Sequence, residues 1–529
     1  MPETIESPQS TIWAESELPA REPEPAPGEP APARTPRFQP IDRNQLCWHT
    51  VDVEKLVEPD HLARAIWDLA GRLDLSRFAA DVKAVDGVAG RPAYDPRLLI
   101  SLWVYAYSQK VSSAREVERR CGYDPAYQWL TGMQEVNHHT LSDFRIQHQE
   151  ALDQLFTQLL AVLEEEDLIT LERVAHDGTK VKAAATRNSF HREKTLRAHL
   201  EAARQRVREM GDPREEELSR RAAAARERAA REKVEKLEQA LEEMQKVQAA
   251  PEARAEKSER RVSETDPEAR TMRQGDGGHA PSHNVQISTD GARGIIVGVS
   301  VTQAASDQHE LVPAVEEIER RMGRPPEHLV VDDGYTTREN VLAAADRGLD
   351  LIGGTMEGDA KDAQAATRRL EQRGIDPAFY PENFHYDAAT NSYGCPAGKQ
   401  LSYETTKHDR VGIERHVYSA RAADCRACPF QKQCSLGKYG RRIVRSEIAP
   451  AVAAYMARRQ SEEAQALYRL CAPVAEFSNL WLKAKLGLRQ FCVRGLKKVR
   501  CEALWACLTY NVQQWFRLRW KVGLSPAQA

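Results

Sequence analysis

The chain lacks any apolar run long enough to cross a bilayer, and its first residues, "MPETIESPQS", have neither the basic start nor the apolar core of a secretory signal. These absences lead to the expectation of a soluble, cytoplasmic protein with no membrane partner. Charge of one sign is also lacking. The 75 Lys and Arg residues nearly cancel the 78 Asp and Glu residues, for a net charge of -3, so only local clusters of charge can point to a partner. Aromatic residues make up only 7% of the chain, and several of its ten cysteines (Cys121, Cys471, Cys492, Cys501 and Cys507) stand alone in helical patterns. That usage suits small buried side chains in a reducing compartment and argues against a disulfide framework. With 529 residues, 41% of them hydrophobic, the chain has room for about two to four domains and at least one sizeable core.

Residues 1–36 are rich in Pro, Glu and Ala ("AREPEPAPGEPAPARTP") and too poor in large apolar side chains to offset the entropy of ordering, so a disordered tail is expected there. A helical domain is expected over residues 37–165. "HLARAIWDLAGRLDL" and "PRLLISLWVYAYSQ" carry apolar residues at three- and four-residue spacing, and Ser113 with Glu116 and Thr140 with Asp143 resemble capping boxes. Short helices of this kind suit a helix-turn-helix-like DNA-binding domain, and equally a plain helical domain. The segment "LITLERVAHDGTKVKAAAT", residues 168–186, reads as a strand, a turn at His176-Asp177-Gly178, and a second strand or loop.

Residues 190–262 turn Arg-, Glu- and Ala-rich. Val234, Leu237, Leu241 and Met244 keep helical spacing there, as do Leu196, Leu200 and Val207 more loosely, with "MGDPREE" between the two sets. An antiparallel helical hairpin is the expectation, against a solitary solvated helix. A β-hairpin follows in "HNVQISTDGARGIIVGVSVTQ", then a helix, the short apolar run Leu329 to Val331 ending in Asp332-Asp333, and another helix. Without the insertion, this is the chain order of an α/β ribonuclease-H-like core.

Such a core brings acids from its first strand, its fourth strand and a late helix to one place. Phosphoryl transfer commonly uses two divalent ions about 3.5–4 Å apart, and magnesium needs only a few hard oxygen ligands on rigid elements. Asp177 suits the first position and Asp332 or Asp333 the second. Taken singly, each acid also has an ordinary structural explanation, as a turn, a cap or a surface residue. His176 reads as a packed neighbour of Asp177.

At this point the chain resembles a DDE transposase of a bacterial insertion sequence, from the group with an InsH-like helical N-terminal domain. The segments that carry the resemblance are "AHDGTKVKAAATR", "DGGHAPSHNVQISTDGARGIIVGVSVTQAASDQ", "LVVDDGYTTREN" and "VAEFSNLWLKAKLGLRQFCVRGLKKVRCEALWACLTYNVQ". The resemblance implies a catalytic domain over residues 166–518, interrupted by the hairpin at 190–262 and a cysteine-rich insertion at about 357–460, with a short tail at 519–529. It implies Asp177, Asp332 and Glu476 as the catalytic, metal-binding acids, with two Mg²⁺ (or Mn²⁺) ions. Lys483, which keeps the Glu-x6-Lys spacing, becomes a phosphate contact. The upstream half of that signature departs from the family, because its tyrosine and arginine positions fall on Arg469 and Ala472, with Tyr468 close by. DNA would be the partner, both terminal inverted repeats and target, with a homodimer in the synaptic complex and a nucleoid-associated location. A domesticated, inactive DNA-binding descendant and a nuclease without strand transfer are the alternatives.

Cys395, Cys425, Cys428 and Cys434 supply one tight Cys-x2-Cys and two further thiols, a credible structural Zn²⁺ site or else four reduced thiols. Lys483, Lys485, Arg489, Arg494, Lys497 and Lys498 open a basic C-terminal stretch in which Glu502 is the lone acid and tryptophans are interleaved. That asymmetry suits DNA phosphates, while the aromatics also suit a buried helix face.

Overall fold

The computed structural model describes residues 50–80, 82, 92–209, 220–249, 260–354, 368–408, 414–435, 439–446 and 449–520. The expected tail at 1–36, all but the first two residues of the one expected at 519–529, and the "MGDPREE" break lie outside the described residues; Arg519 and Trp520 still belong to a short helical turn at Phe516–Trp520. The architecture is mixed α/β.

Among the described residues seven α-helices come first: α1 (Leu62–Gly71), α2 (Ser76–Ala79), α3 (Pro96–Ser108), α4 (Ala114–Cys121), α5 (Pro125–Thr131), α6 (His138–Gln147) and α7 (Gln149–Glu165). Local chemistry sets their starts. Asp95 accepts a hydrogen bond from the Arg97 N–H ahead of Pro96 at the head of α3, and Asp124 accepts one from the Ala126 N–H ahead of Pro125 in α5. Two sequence expectations are corrected here. Ser113 does precede α4, but its side chain makes no capping bond. Thr140 lies inside α6, which begins earlier because the Asn137 side chain accepts from the His139 N–H at 2.8 Å.

The central sheet is built from β1 (Arg173–Lys182), β4 (Arg270–Arg273), β5 (His279–Asp290), β6 (Ile296–Thr302), β7 (His328–Val331) and β8 (Asp350–Ile352), with the two-residue strands β2 (Phe190–His191) and β3 (Val262–Ser263) pairing apart from it. β1 runs antiparallel to β5 and parallel to β7, and β8 is parallel to β7. β6 lies antiparallel on the other edge of β5, giving the order β6-β5-β1-β7-β8, with β4 beside the first residues of β5. Helices α10 (Leu311–Met322) and α11 (Arg338–Asp346) connect β6 to β7 and β7 to β8.

The turn expected at His176-Asp177-Gly178 is not there. β1 continues through all three residues, with Asp177 opposite Ile287 and Gly178 opposite Gln286. Glycine serves close approach: a Cβ at 178 would lie 2.5 Å from Asp307 Oδ1 and from Gln286 Nε2, and 2.8 Å from the Tyr335 hydroxyl.

Helices α8 (Glu193–Glu209) and α9 (Arg220–Ala249) pack together. Glu193 meets Gln248 and Arg204 meets Glu238, so the two run antiparallel, as the spacing suggested. Leu196, Leu200, Ala203, Leu237, Ala240, Met244 and Val262 form their separate small core.

Three late helices complete the fold: α12 (Pro450–Gln460), α13 (Glu462–Ala484) and α14 (Leu496–Trp515). α12 packs on α11 and β8, and α13 lies across β1, β5, β7 and β8. α14 is buried nearly all round and packs on β6, α3 and α7, so one hydrophobic core runs from the first helices to the sheet. Polar groups on this helix satisfy backbone that would otherwise be orphaned. Asn511 exchanges hydrogen bonds with the N–H (2.9 Å) and C=O (2.7 Å) of Ile296, and the Trp505 indole donates to the Arg145 carbonyl at 3.1 Å.

Candidate active site

Parallel pairing aligns β1 and β7 so that His176 faces Val331 across the ladder, and one residue further along each chain stand Asp177 and Asp332. α13 crosses this point. Ala175, His176, Asp177, Val330, Val331, Asp332, Tyr468, Cys471, Ala472, Ala475 and Glu476 line one cavity of about 140 Å³. The three acids expected from the sequence therefore come from 177, 332 and 476 to a single opening. They do not form a tight cluster whose oxygens all lie within 4.8 Å of one another.

Asp177 is largely buried. Burial pushes its carboxyl up to about 6; the neighbouring Asp307 and Asp332 add to the rise, and the Gly178 N–H and Lys180 oppose it. The Gly178 N–H donates to Oδ1 at 2.7 Å and Asn479 Nδ2 donates to Oδ2 at 2.8 Å. Asn479 lies on α13 one turn beyond Glu476, and its own Oδ1 is buried without a hydrogen-bond partner. The pocket thus gathers three carboxyl side chains, one of them largely buried, a set of hard oxygen donors that suits a divalent cation. Lys483, on the same helix, feels the Asp177 charge while burial lowers its ammonium below the usual range.

A polar network holds the floor of this site. His176 is 2% exposed, with Nδ1 2.9 Å from Ser288 Oγ and Nε2 2.9 Å from Gln286 Oε1, and burial pushes its imidazole down to about 4. It is a packed neighbour of Asp177, as expected. The Tyr335 hydroxyl donates to Gln286 Oε1 at 2.6 Å, and Asp307 accepts from Lys180 (2.7 Å), Asn284 (2.6 Å) and Gln286 (2.8 Å). Asp307 and Asn479 were not singled out from the sequence. Neither sits in a spacing that marks it, because their partners lie far away along the chain.

Asp332 Oδ1 accepts from the Asp333 N–H at 2.7 Å, and Asp333 turns to a neighbouring cavity lined by Gly354, Arg459, Tyr468 and Arg469. Tyr468 borders both cavities, and burial, with the carboxylates of Asp332 and Asp333 adding to it, holds its phenol above the usual range. The departure from the family spacing therefore still leaves a tyrosine and an arginine beside the acids.

Two stretches of the chain match family models: residues 394–516 match a transposase DDE domain, and residues 51–147 match a transposase domain (DUF772). These two matches support a DDE transposase of an insertion sequence. No curated protein and no solved structure matches it. Transposases of this family act on DNA as polynucleotidyl transferases and endonucleases and generally use divalent metal ions. The matched DDE segment contains Glu476 and Lys483 but does not reach Asp177 or Asp332.

The basic stretch is largely exposed. Lys485, Arg489, Arg494, Lys497 and Lys498 are exposed, and Lys483 is half-buried. The stretch is tied to the end of β1: the Lys182 N–H donates to the Arg489 carbonyl at 3.1 Å and the Phe491 N–H donates to the Lys182 carbonyl at 2.8 Å. Glu502, the lone acid of the stretch, is buried and accepts from the Cys492 and Val493 N–H groups, so it does not offset the exposed positive charge. Beyond it, Trp505 and Trp515 are buried, as a core-facing aromatic stripe requires.

The cysteine-rich segment forms its own five-stranded sheet of β9 (His385–Asp387), β10 (Ser392–Gly394), β11 (Gln400–His408), β12 (Glu414–Ala420) and β13 (Arg442–Ser446). Cys395, Cys425, Cys428 and Cys434 line one small cavity of about 30 Å³. The Lys399 N–H points at Cys395 Sγ (3.2 Å) and the Arg441 N–H at Cys425 Sγ (3.4 Å). Burial raises the Cys434 thiol, and the other three cysteines add to the rise. Four sulfur donors with N–H groups aimed at two of them fit zinc chemically, though no three of the sulfurs lie mutually within 4.8 Å.

Proposed function

We propose that this transposase cuts the ends of its element and joins them to target DNA at the cavity formed by Asp177, Asp332 and Glu476. The observation that carries the reading is that residues from two adjacent strand ends and a late helix line one opening. The strand order β6-β5-β1-β7-β8, with the first three strands antiparallel and the last two parallel to β1, supports a ribonuclease-H-like core. Two Mg²⁺ ions, or Mn²⁺, held by these carboxylates would activate the attacking oxygen and stabilise the charge on the leaving one.

The chain's own residues do the positioning. Asn479 and the Gly178 N–H fix both oxygens of Asp177, so that its carboxylate is oriented before DNA arrives. Lys483 sits where a scissile phosphate would meet it, and Lys485, Arg489, Arg494, Lys497 and Lys498 line the approach of the duplex. In the first step water attacks a phosphorus at the element end and the 3′-oxygen leaves, giving a 3′-hydroxyl and a 5′-phosphate. In the second step that hydroxyl attacks a phosphorus of target DNA, and the target's own 3′-oxygen leaves. Holding two ends at once calls for a homodimer. The four cysteines would hold one structural Zn²⁺, since a closed four-sulfur site leaves no position open for chemistry.

A nicking assay on DNA carrying the terminal inverted repeats tests the reading. Mg²⁺-dependent nicking, followed by strand transfer from pre-cut ends bearing a 3′-hydroxyl, is the expected result. Nicking without transfer would assign a nuclease, and DNA binding with neither would assign a silent descendant.

A further inference from the structure

A second group of metal-binding side chains lies away from the cavity, at the neck of the helical hairpin. His191 ends β2, His199 stands on the second turn of α8, and Glu264 directly follows β3. Among the described residues this is the one set of three His, Cys, Asp or Glu side chains whose donor atoms all lie within 4.8 Å of one another. His199 Nδ1 is 2.8 Å from Glu264 Oε2, and His191 Nε2 is 3.9 Å from the same oxygen. The two rings stand 5.0 Å apart at 74°. An ordinary hydrogen-bonded pair accounts for His199 and Glu264 but leaves His191 too far away to take part. A bound ion uses all three.

The backbone around the three is fixed independently of any ion. Phe190 and His191 pair with Ser263 and Val262 in a two-residue ladder, and the Glu264 N–H donates to the Ser189 carbonyl at 2.9 Å. Ser189 Oγ lies 2.8 Å from Ser263 Oγ, and Val262 packs into the core of the helical hairpin. Three separate elements thus present donors from a preorganised frame.

We propose that His191 Nε2, His199 Nδ1 and a Glu264 oxygen bind one Zn²⁺, with water completing a tetrahedron. Two imidazoles and a carboxylate suit zinc, and nitrogen donors disfavour magnesium, so the site would stay distinct from the one formed by Asp177, Asp332 and Glu476. The ion ties α8 to the β2–β3 neck. Glu264 borders the same groove as Arg494 and the α9 residues Glu232, Lys233 and Lys236. The hairpin's attitude toward the basic stretch would therefore depend on the metal. This site does not rest on the transposition chemistry.

The test uses the full chain, stripped with a chelator, reloaded with Zn²⁺ and dialysed against excess Mg²⁺. Wild type is expected to keep one more zinc per chain than His191→Ala, His199→Gln or Glu264→Gln, with affinity at that site lowered at least about tenfold in each. Co²⁺ substitution separates this site from the cysteines, whose thiolate charge-transfer absorption should be the same in all four proteins. Equal zinc content and affinity in wild type and Glu264→Gln, a substitution that retains a hydrogen-bond acceptor for His199, would overturn the proposal. So would wild-type crystals lacking an anomalous zinc peak among the three side chains, a readout that does not depend on how any variant folds.

Discussion

Replacing Asp177 with Asn should make the metal-free protein more stable at neutral pH while removing its activity. The wild-type carboxyl titrates near 6 in the folded chain, against an ordinary value of 3.8. A difference of about 2 pH units corresponds to roughly 3 kcal/mol by which ionised Asp177 disfavours the folded state. The sign follows from the raised folded value. The favourable contribution of the neutral acid is complete below about pH 4 and is lost as pH rises through about 6. Asn carries no such penalty, but its single oxygen cannot accept from both the Gly178 N–H and Asn479 Nδ2, which costs about 1 kcal/mol. Urea unfolding in EDTA should therefore find Asp177→Asn about 2 kcal/mol more stable than wild type at pH 8 and about 1 kcal/mol less stable at pH 4. Millimolar Mg²⁺ should stabilise wild type and leave the variant unchanged. A stability difference independent of pH, or one that favours the variant more at pH 4 than at pH 8, would refute the reasoning.

Asp332→Asn and Glu476→Gln should each slow Mg²⁺-dependent nicking by at least about 10²–10³-fold while leaving end-DNA affinity within a few-fold of wild type, read by nicking kinetics and fluorescence anisotropy. The double variant Lys497→Ala, Lys498→Ala should weaken binding to all duplexes alike and lower the slope of log affinity against log salt by about 1.8, provided both lysines meet phosphate. Cys425→Ser should lose one zinc per chain and make the sheet of β9 to β13 protease-sensitive, with the cleavage sites read by mass spectrometry.

Asp332 was legible because an apolar run ending in acids and a Gly-Tyr turn marks a strand mouth. Asp177 was legible as a candidate but not in its setting: Gly178 reads as a turn residue. Only the folded sheet shows that glycine is needed there because Asp307, Gln286 and Tyr335 crowd the strand. Asn479 and Asp307 left no trace in the pattern, since a carboxamide on a helix and an acid in a loop acquire meaning only from partners 302 and 127 residues away. The helical hairpin was readable from its three-four apolar spacing. Its neck was not, because His191, His199 and Glu264 match no short ligand spacing and meet only through a two-residue ladder. The basic stretch was visible as composition, but the burial of Glu502 against the Cys492 and Val493 amides, which leaves the exposed charge unbalanced, was not.

Anomalous diffraction from crystals of the full chain grown with Mn²⁺ and a cleaved element end tests the central claim most directly. Manganese in direct contact with oxygens of Asp177, Asp332 and Glu476 together, close to the 3′-hydroxyl, is the expected result. Manganese bound without Glu476, or elsewhere on the molecule, would contradict it.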